Sequence, residues 1–149
     1  MPSPWLRWRS TRFRRSRMPV EPPTHHGSAD RVQPAPGAMI DRVSLDAAFA
    51  AITEPWQPVT LGELNGQLVK AARFRGAFLW HAHAAEDELF LVHSGSFRME
   101  FRDRAVTLLA GEMIIVPRGV DHRPVADGEA EVVLFEPVST VKTGDAGRA

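Results

Sequence analysis

The chain has 149 residues and no cysteine, which excludes disulfide frameworks, thiolate metal sites and cysteine nucleophiles and fits the reducing cytoplasm. Its net charge is zero, but residues 1–37 carry seven arginines and two acidic residues, whereas residues 38–149 carry 11 basic and 16 acidic residues. Because the acidic part repels nucleic acid and no apolar stretch approaches the roughly 20 residues that span a bilayer, we expect neither nucleic acid nor membrane as a partner.

The first part of the chain, residues 1–38, is rich in Arg, Pro and Ser and lacks apolar periodicity. Such a segment buries too little apolar surface to offset its chain entropy, so we predict a disordered extension. Three alternatives stay open: a nucleic-acid-binding arm, a natural start at Met39 that makes the extension non-native, and an Arg-rich transit peptide, whose amphipathic helix Pro2 and Pro4 disfavour. The segment is too short and too rich in proline for a helix-turn-helix domain, which argues against a transcription regulator.

Residues 39–58 are predicted to form a short helix and a linker. The helix is predicted over residues 41–52, where Ser44 is a suitable N-cap and Leu45, Phe49 and Ile52 share one face. The helix is expected to end before the proline-rich stretch at residues 54–58.

Residues 59–137 consist of short strand-like segments separated by turn signals about every 8–12 residues, the pattern of an all-β sandwich or barrel. We predict nine strands, at residues 59–65, 66–74, 77–84, 88–95, 96–101, 105–111, 112–119, 121–126 and 129–137. The polar tail, residues 138–149, is predicted to be frayed.

The stretch HAHAAEDE, residues 81–88, holds two histidines, His81 and His83, and ends with the carboxylate of Glu88. Strand alternation puts Leu79, His81 and His83 on one face, with the Cα atoms of the two histidines roughly 6–7 Å apart. Glu88 begins the next strand, and His122 begins a later one. Three imidazoles and one carboxylate suit a divalent ion such as Fe, Mn, Ni or Zn, with positions left open for water or substrate.

Each of these residues also has a plain structural interpretation. His81 and His83 could be ordinary barrel histidines that stack on aromatic neighbours. Glu86 and Asp87 compete with Glu88, but a solvated loop or a role in orienting a histidine suits them better. His93 lies on the same strand as Glu88 but on the opposite face, so we do not expect it to be a ligand.

The spacing resembles the two motifs of the cupin family. His81-x-His83-x4-Glu88-x6-Gly95 is similar to the first motif, and Gly111-x5-Pro117-x-Gly119-x2-His122 to the second. The resemblance covers about residues 59–137 and implies a small single-domain cupin with a conserved barrel, a group often called mannose-6-phosphate-isomerase-like. It implies a double-stranded β-helix, or jelly-roll barrel, with the four ligands at its mouth. Gly76 and Ala126 depart from the family pattern.

The resemblance leaves the reaction open. It implies a metal-dependent dioxygenase or isomerase-type enzyme acting on a small anionic or carbonyl-containing molecule. The alternative is a non-catalytic module that binds a small ligand or metal, and a barrel without metal is disfavoured because all four ligands are present. No catalytic residue can be named. Residues that could line the pocket, with core packing or a surface turn as the alternative, are Leu79, Phe90, Met99, Arg118 and Phe135. The family also implies a homodimer, for which Trp56, Phe78 and Trp80 are candidate interface residues. Core positions beneath the N-terminal helix explain these three residues equally well.

Overall fold

The computed structural model describes residues 41–144. The predicted disordered extension and the last five residues of the predicted tail lie outside the described residues. The elements in chain order are α1 (Leu45–Ala51), β1 (Val59–Leu64), β2 (Gln67–Ala77), β3 (Glu88–Phe101), β4 (Ala105–Leu109), β5 (Met113–Val116) and β6 (His122–Pro137). In the part of the chain that is described, there is no helix with the length and apolar character that crossing a membrane requires.

Helix α1 forms inside the predicted range, residues 41–52, but is shorter, running from Leu45 to Ala51. Ser44 is the N-cap, and its side-chain oxygen accepts a hydrogen bond from the backbone N–H of Ala47 at 3.3 Å. Phe49 is fully buried and packs with Ile52 and with Ala71 and Val133 of the sheet. The helix therefore covers one outer face of the β-structure.

The strands form one antiparallel sheet in the order β1-β2-β6-β3-β4, with β5 also paired to β3. The long strand β3 pairs with β6 on one side, and with β5 and then β4 on the other. Register shifts interrupt the β2–β6 and β3–β6 pairings, and such shifts increase the bend and twist of a strand. The all-β jelly-roll prediction is confirmed.

Six strands replace the nine predicted ones because two turn signals lie within strands, which merges two predicted pairs, and because one predicted strand does not form. Gly95 falls inside β3, and Asp127 and Gly128 fall inside β6. Gly95 has a φ of +74°, and a Cβ atom there would lie 2.2 Å from the carbonyl oxygen of Glu129. The absence of a side chain at Gly95 therefore allows a bulge within β3 and a close approach of β6. It does not mark the end of a strand.

The predicted strand at residues 77–84 is wrong. After Ala77 the backbone leaves β2, and His81 pairs as an isolated bridge with His122. The two residues exchange backbone hydrogen bonds of 3.1 Å and 2.9 Å. Short irregular backbone on either side of this bridge joins β2 to β3, so strand alternation does not hold over the whole segment.

The main core lies inside the curved sheet. In β3, Phe97 and Met99 point into it and are buried, whereas Arg98 and Glu100 are half-buried on the other side, as alternation predicts. Aromatic contacts join Phe74 to Phe97 and to Phe90, with ring centroids 5.2 Å and 6.3 Å apart. Phe90 also contacts His122, with ring centroids 6.2 Å apart, so this aromatic core borders the buried polar residues at the start of β6.

Candidate metal centre

Four side chains that the sequence predicts as ligands come together in the structure. His81 and His83 lie on the segment between β2 and β3, Glu88 is the first residue of β3, and His122 is the first residue of β6. All four are buried, with exposed fractions of 5 %, 5 %, 5 % and 1 % respectively. One ligand atom from each residue lies within 4.8 Å of the others, so the group could hold a metal ion.

Backbone carbonyls orient two of the three imidazoles. Nδ1 of His81 lies 3.1 Å from the carbonyl oxygen of Leu79, and Nδ1 of His122 lies 2.9 Å from that of Val120. Because a carbonyl oxygen can only accept, each ring carries a proton on Nδ1 and donates it there, which leaves Nε2 directed toward the other members of the cluster. A hydrogen bond of this kind commonly fixes the tautomer and orientation of metal-binding histidines.

Glu88 is the anionic member of the cluster. Its Oε2 atom lies 3.3 Å from Nε2 of His83 and 3.8 Å from Nε2 of His122. Burial pushes the pKa of Glu88 upward, but interactions with His122, His83 and Glu136 outweigh it and lower the pKa to about 2. The carboxylate is therefore ionised at neutral pH.

The histidines respond differently to the same surroundings. Burial, together with repulsion from His122, lowers the pKa of His81 from 6.5 to about 4, so its ring is neutral. The side-chain contact with Glu88 raises the pKa of His83 above its usual value. A metal ion would therefore compete with a proton at His83 but not at His81.

Two buried atoms in the cluster make no well-formed hydrogen bond within the described residues, although one of them, Oε2 of Glu88, is in ion-pair contact with His83 at 3.3 Å. These atoms are Oε2 of Glu88 and Nε2 of His122. Leaving a buried polar atom unpaired costs about 1–3 kcal/mol, and such atoms in a native protein call for an explanation. An oxygen and an imidazole nitrogen that face each other are the donor types a divalent first-row metal prefers, so the residues fit the ion.

A cavity of about 50 Å³ opens onto this cluster. His81 and Glu88 reach it, and Phe74, Phe90 and Leu134 supply part of its apolar wall. Lys70 and Glu136, which form a partly buried ion pair, also line it. Burial and the nearby Glu88 raise the pKa of Glu136 to about 7, while Lys70 opposes the rise.

Glu136 and Lys70 are site residues that the sequence analysis missed. Glu136 follows Val132 and Leu134 at alternate positions of β6, and all three are buried. In the sequence, Glu136 continues the alternating apolar positions Val132 and Leu134, and this alternation was the signal for a buried carboxylate.

Of the five predicted pocket residues, the structure puts only Phe90 in the lining of this cavity. Leu79 is 43 % exposed because the irregular backbone turns it outward, and Met99 lies fully buried in the main core. Phe135 points to the opposite side of β6 and packs against the cluster beneath α1. Arg118 is exposed and makes a two-pronged ion pair with Asp87, at 3.1 Å and 3.3 Å.

The remaining candidates have structural contacts of their own. His93 stacks on Phe49 and contacts Asp46 of α1, so it lies outside the ligand cluster as predicted. Trp56 and Phe78, considered for a dimer interface, line the cavity. Trp80 is half-buried, and the guanidinium carbon of Arg102 lies 3.9 Å from the centre of its ring.

A family model and several known proteins match the part of the chain that contains the sheet. The family model described as "Cupin domain" matches residues 74–145. Uncharacterised protein YdbB from Bacillus subtilis is 35 % identical, and the match covers 52 % of this chain and 78 % of YdbB. Its name assigns no activity.

Two solved structures share both sequence and fold with the chain. A cupin-2 domain containing protein from Shewanella frigidimarina is 37 % identical with a TM-score of 0.63, and the match covers 64 % of this chain and 93 % of that protein. Protein NMB1881 from Neisseria meningitidis is 31 % identical with a TM-score of 0.61, over 65 % of this chain and 99 % of that one.

Proposed function

The chain belongs to the cupin family, and from that premise we propose that it is a metalloenzyme acting on a small molecule at a divalent ion held by three histidines and one glutamate. The proposed ligands are His81, His83, Glu88 and His122. Whether the ion is Fe, Mn, Ni or Zn is left to experiment, because all four accept imidazole and carboxylate ligands.

The observation that carries the proposal is a pair of buried atoms that make no well-formed hydrogen bond, Nε2 of His122 and Oε2 of Glu88, the second of which has only its ion-pair contact with His83. A cluster built only for stability would pair these atoms or replace them with apolar groups. Here the rings of His81 and His122 are held from behind, and their Nε2 atoms converge with the carboxylate. A bound cation satisfies all of these groups at once.

The ion supplies Lewis acidity for a carbonyl or enolate oxygen, or redox chemistry with dioxygen if it is iron. The protein residues do the remaining work. The apolar wall formed by Phe74, Phe90 and Leu134 excludes water and strengthens the electrostatic interactions inside. Glu136, in the wall beside Glu88 and Lys70, is a carboxyl group close enough to the cavity to exchange a proton with a bound molecule.

The alternative function is a non-catalytic module that binds a small ligand or the metal alone. The presence of Glu136 in the wall favours the enzyme, because simple binding does not need a group that can give and take a proton. The cavity also reaches His81 and Glu88, so a small molecule can approach the proposed ligands.

The test is to load the metal-free protein separately with Fe(II), Mn, Ni and Zn and to offer each form a panel of small carbonyl, enol and phenolic compounds. Oxygen uptake and NMR spectra of the mixtures report turnover. We expect turnover with at least one metal, no turnover in His122→Ala, and a loss of about 100-fold or more in Glu136→Gln. Glu63→Gln, an exposed carboxylate on β1, is the matched control and should be unchanged. Metal-loaded protein that binds compounds but converts none would favour the binding module.

Three further features stay proposals. Membership of the mannose-6-phosphate-isomerase-like group would be supported by isomerisation of a sugar phosphate or keto acid in the same panel. Homodimerisation is tested by light scattering on the purified protein. Cytoplasmic location is tested by fractionation of the native cells.

A further inference from the structure

The last described residues, 138–144, run alongside the segment that carries His81 and His83. Oγ of Ser139 donates a hydrogen bond of 2.9 Å to Oε1 of Glu86. The backbone N–H of Thr140 donates to the carbonyl of Pro137, and that of Gly144 donates to the carbonyl of Val141. These contacts make the segment a sequence of turns attached to the loop before Glu88.

Gly144 forms the second attachment. Its φ is +58°, and a Cβ atom at this position would lie 2.3 Å from the carbonyl oxygen of Ala82, the residue between His81 and His83. Real Cβ atoms do not approach an oxygen so closely, so only glycine fits here without a shift of backbone. The stretch between Ser139 and Gly144 is thus held at both ends against the loop that bears the proposed metal ligands.

Lys142 lies between these two attachments and lines the cavity. Its ammonium nitrogen is 5.9 Å from the ring centre of Phe78, whose ring centre is in turn 5.4 Å from that of His81. Lys70, the other lysine of the cavity, is paired with Glu136. Lys142 is exposed and has no ion pair within residues 41–144, so its charge is available to an occupant of the cavity.

We propose that Lys142 is a specificity-determining residue that binds the carboxylate of a compact anionic substrate while the substrate's other oxygen faces the metal centre. This inference rests on the proposed function and adds the substrate class. The charges support it. Lys70 is held in contact with Glu136, and Glu88 offsets only part of a divalent ion, so Lys142 and the remaining ionic charge attract an anion.

The size of the cavity limits the candidates. About 50 Å³ accommodates only a few water molecules, so the part of the substrate that enters must be small. A short acid with a carbonyl or hydroxyl oxygen next to the carboxylate fits both requirements. Lysine suits the mouth of such a cavity because its flexible stem lets a compact ammonium group follow the anion.

The probe for the test is pyruvate, with neutral pyruvamide as the uncharged comparison, titrated calorimetrically into protein loaded with a redox-inert ion such as zinc. We expect Lys142→Ala to weaken pyruvate binding about fivefold to tenfold and to leave pyruvamide binding unchanged. Lys142→Arg should restore most of the affinity. Arg104→Ala removes an equal charge from an exposed site outside the cavity and should have no effect.

A second pair of variants tests the placement of Lys142. Gly144→Ala should weaken pyruvate binding by disturbing the close approach to Ala82, and metal content measured on the same sample shows whether the segment with His81 and His83 has shifted as well. Gly111→Ala is the control, because Gly111 also has a positive φ, +86°, but has open space at the Cβ position. Any effect common to both variants reports backbone strain alone.

Pyruvate binding to Lys142→Ala within twofold of the wild-type value, or an equal loss in Arg104→Ala, would overturn the inference. Metal content, measured on the same samples, separates this result from failure of the proposed function. Protein that takes up no metal but binds pyruvate through Lys142 would reject the metal centre and retain the anion site.

Discussion

The apolar cluster beneath α1 and the ligand cluster are almost equally buried, but burial affects the stability of the protein differently in the two. In the cluster beneath α1, Phe49 and Ile52 are 0 % and 5 % exposed. In the ligand cluster, His122 and His81 are 1 % and 5 % exposed. Burial of the apolar pair stabilises the fold, at roughly 25 cal/mol per Å². Burial of polar atoms without partners costs free energy, and the protein retains these atoms at the cavity.

The largest predicted change in stability comes from disrupting the apolar cluster beneath α1. Phe49→Ala should lower the free energy of unfolding by about 3–5 kcal/mol, because a fully buried ring is lost and leaves a cavity between α1 and the sheet. Urea denaturation measures the change. Val43→Ala, at a residue that is 51 % exposed just before the helix, is the control and should change stability little. Since Phe49 does not contact the ligands, folded Phe49→Ala should still take up metal, and loss of uptake would show that the clusters are coupled.

The next effect concerns the ligand cluster, where stability should depend on the ion. Metal at 100 times its dissociation constant should stabilise the wild-type protein by about 2.7 kcal/mol, because the ion binds only the folded chain. The neutral substitution Glu88→Gln removes the anionic ligand and should abolish most of this gain, whereas Glu63→Gln should retain it. Thermal unfolding with and without metal is the measurement. Equal stabilisation of both variants would place the ion elsewhere.

The smallest predicted change in stability concerns the N-cap of α1, which should not depend on the metal. Ser44→Ala should cost about 1 kcal/mol, because the backbone N–H of Ala47 loses its acceptor. Ser44→Asp, which keeps an acceptor, should lose little. Because the ligand cluster contributes nothing to this cap, the cost should be the same with and without metal. A metal-dependent cost would indicate that α1 responds to the site.

The sequence predicted the four members of the buried cluster because their spacing lies within two short motifs. His81 and His83 are two residues apart, and His122 and Glu88 each begin a strand. Helix α1 was predictable for the same reason, since its cap and apolar face lie within one short segment. Glu136 was missed because its partner Lys70 is distant in sequence, and their meeting depends on the β2–β6 register. Leu79 was misplaced because alternation was assumed where the backbone is irregular.

The most direct test of the central claim is the metal content of untagged protein, measured by elemental analysis after loading and removal of free ions. We predict close to one divalent ion per chain in the wild type and in Phe49→Ala, and almost none in His81→Ala or His122→Ala. Absence of bound metal from wild-type protein after loading with Fe, Mn, Ni and Zn in turn, or equal content in the histidine variants, would contradict the assignment of these residues as a metal centre.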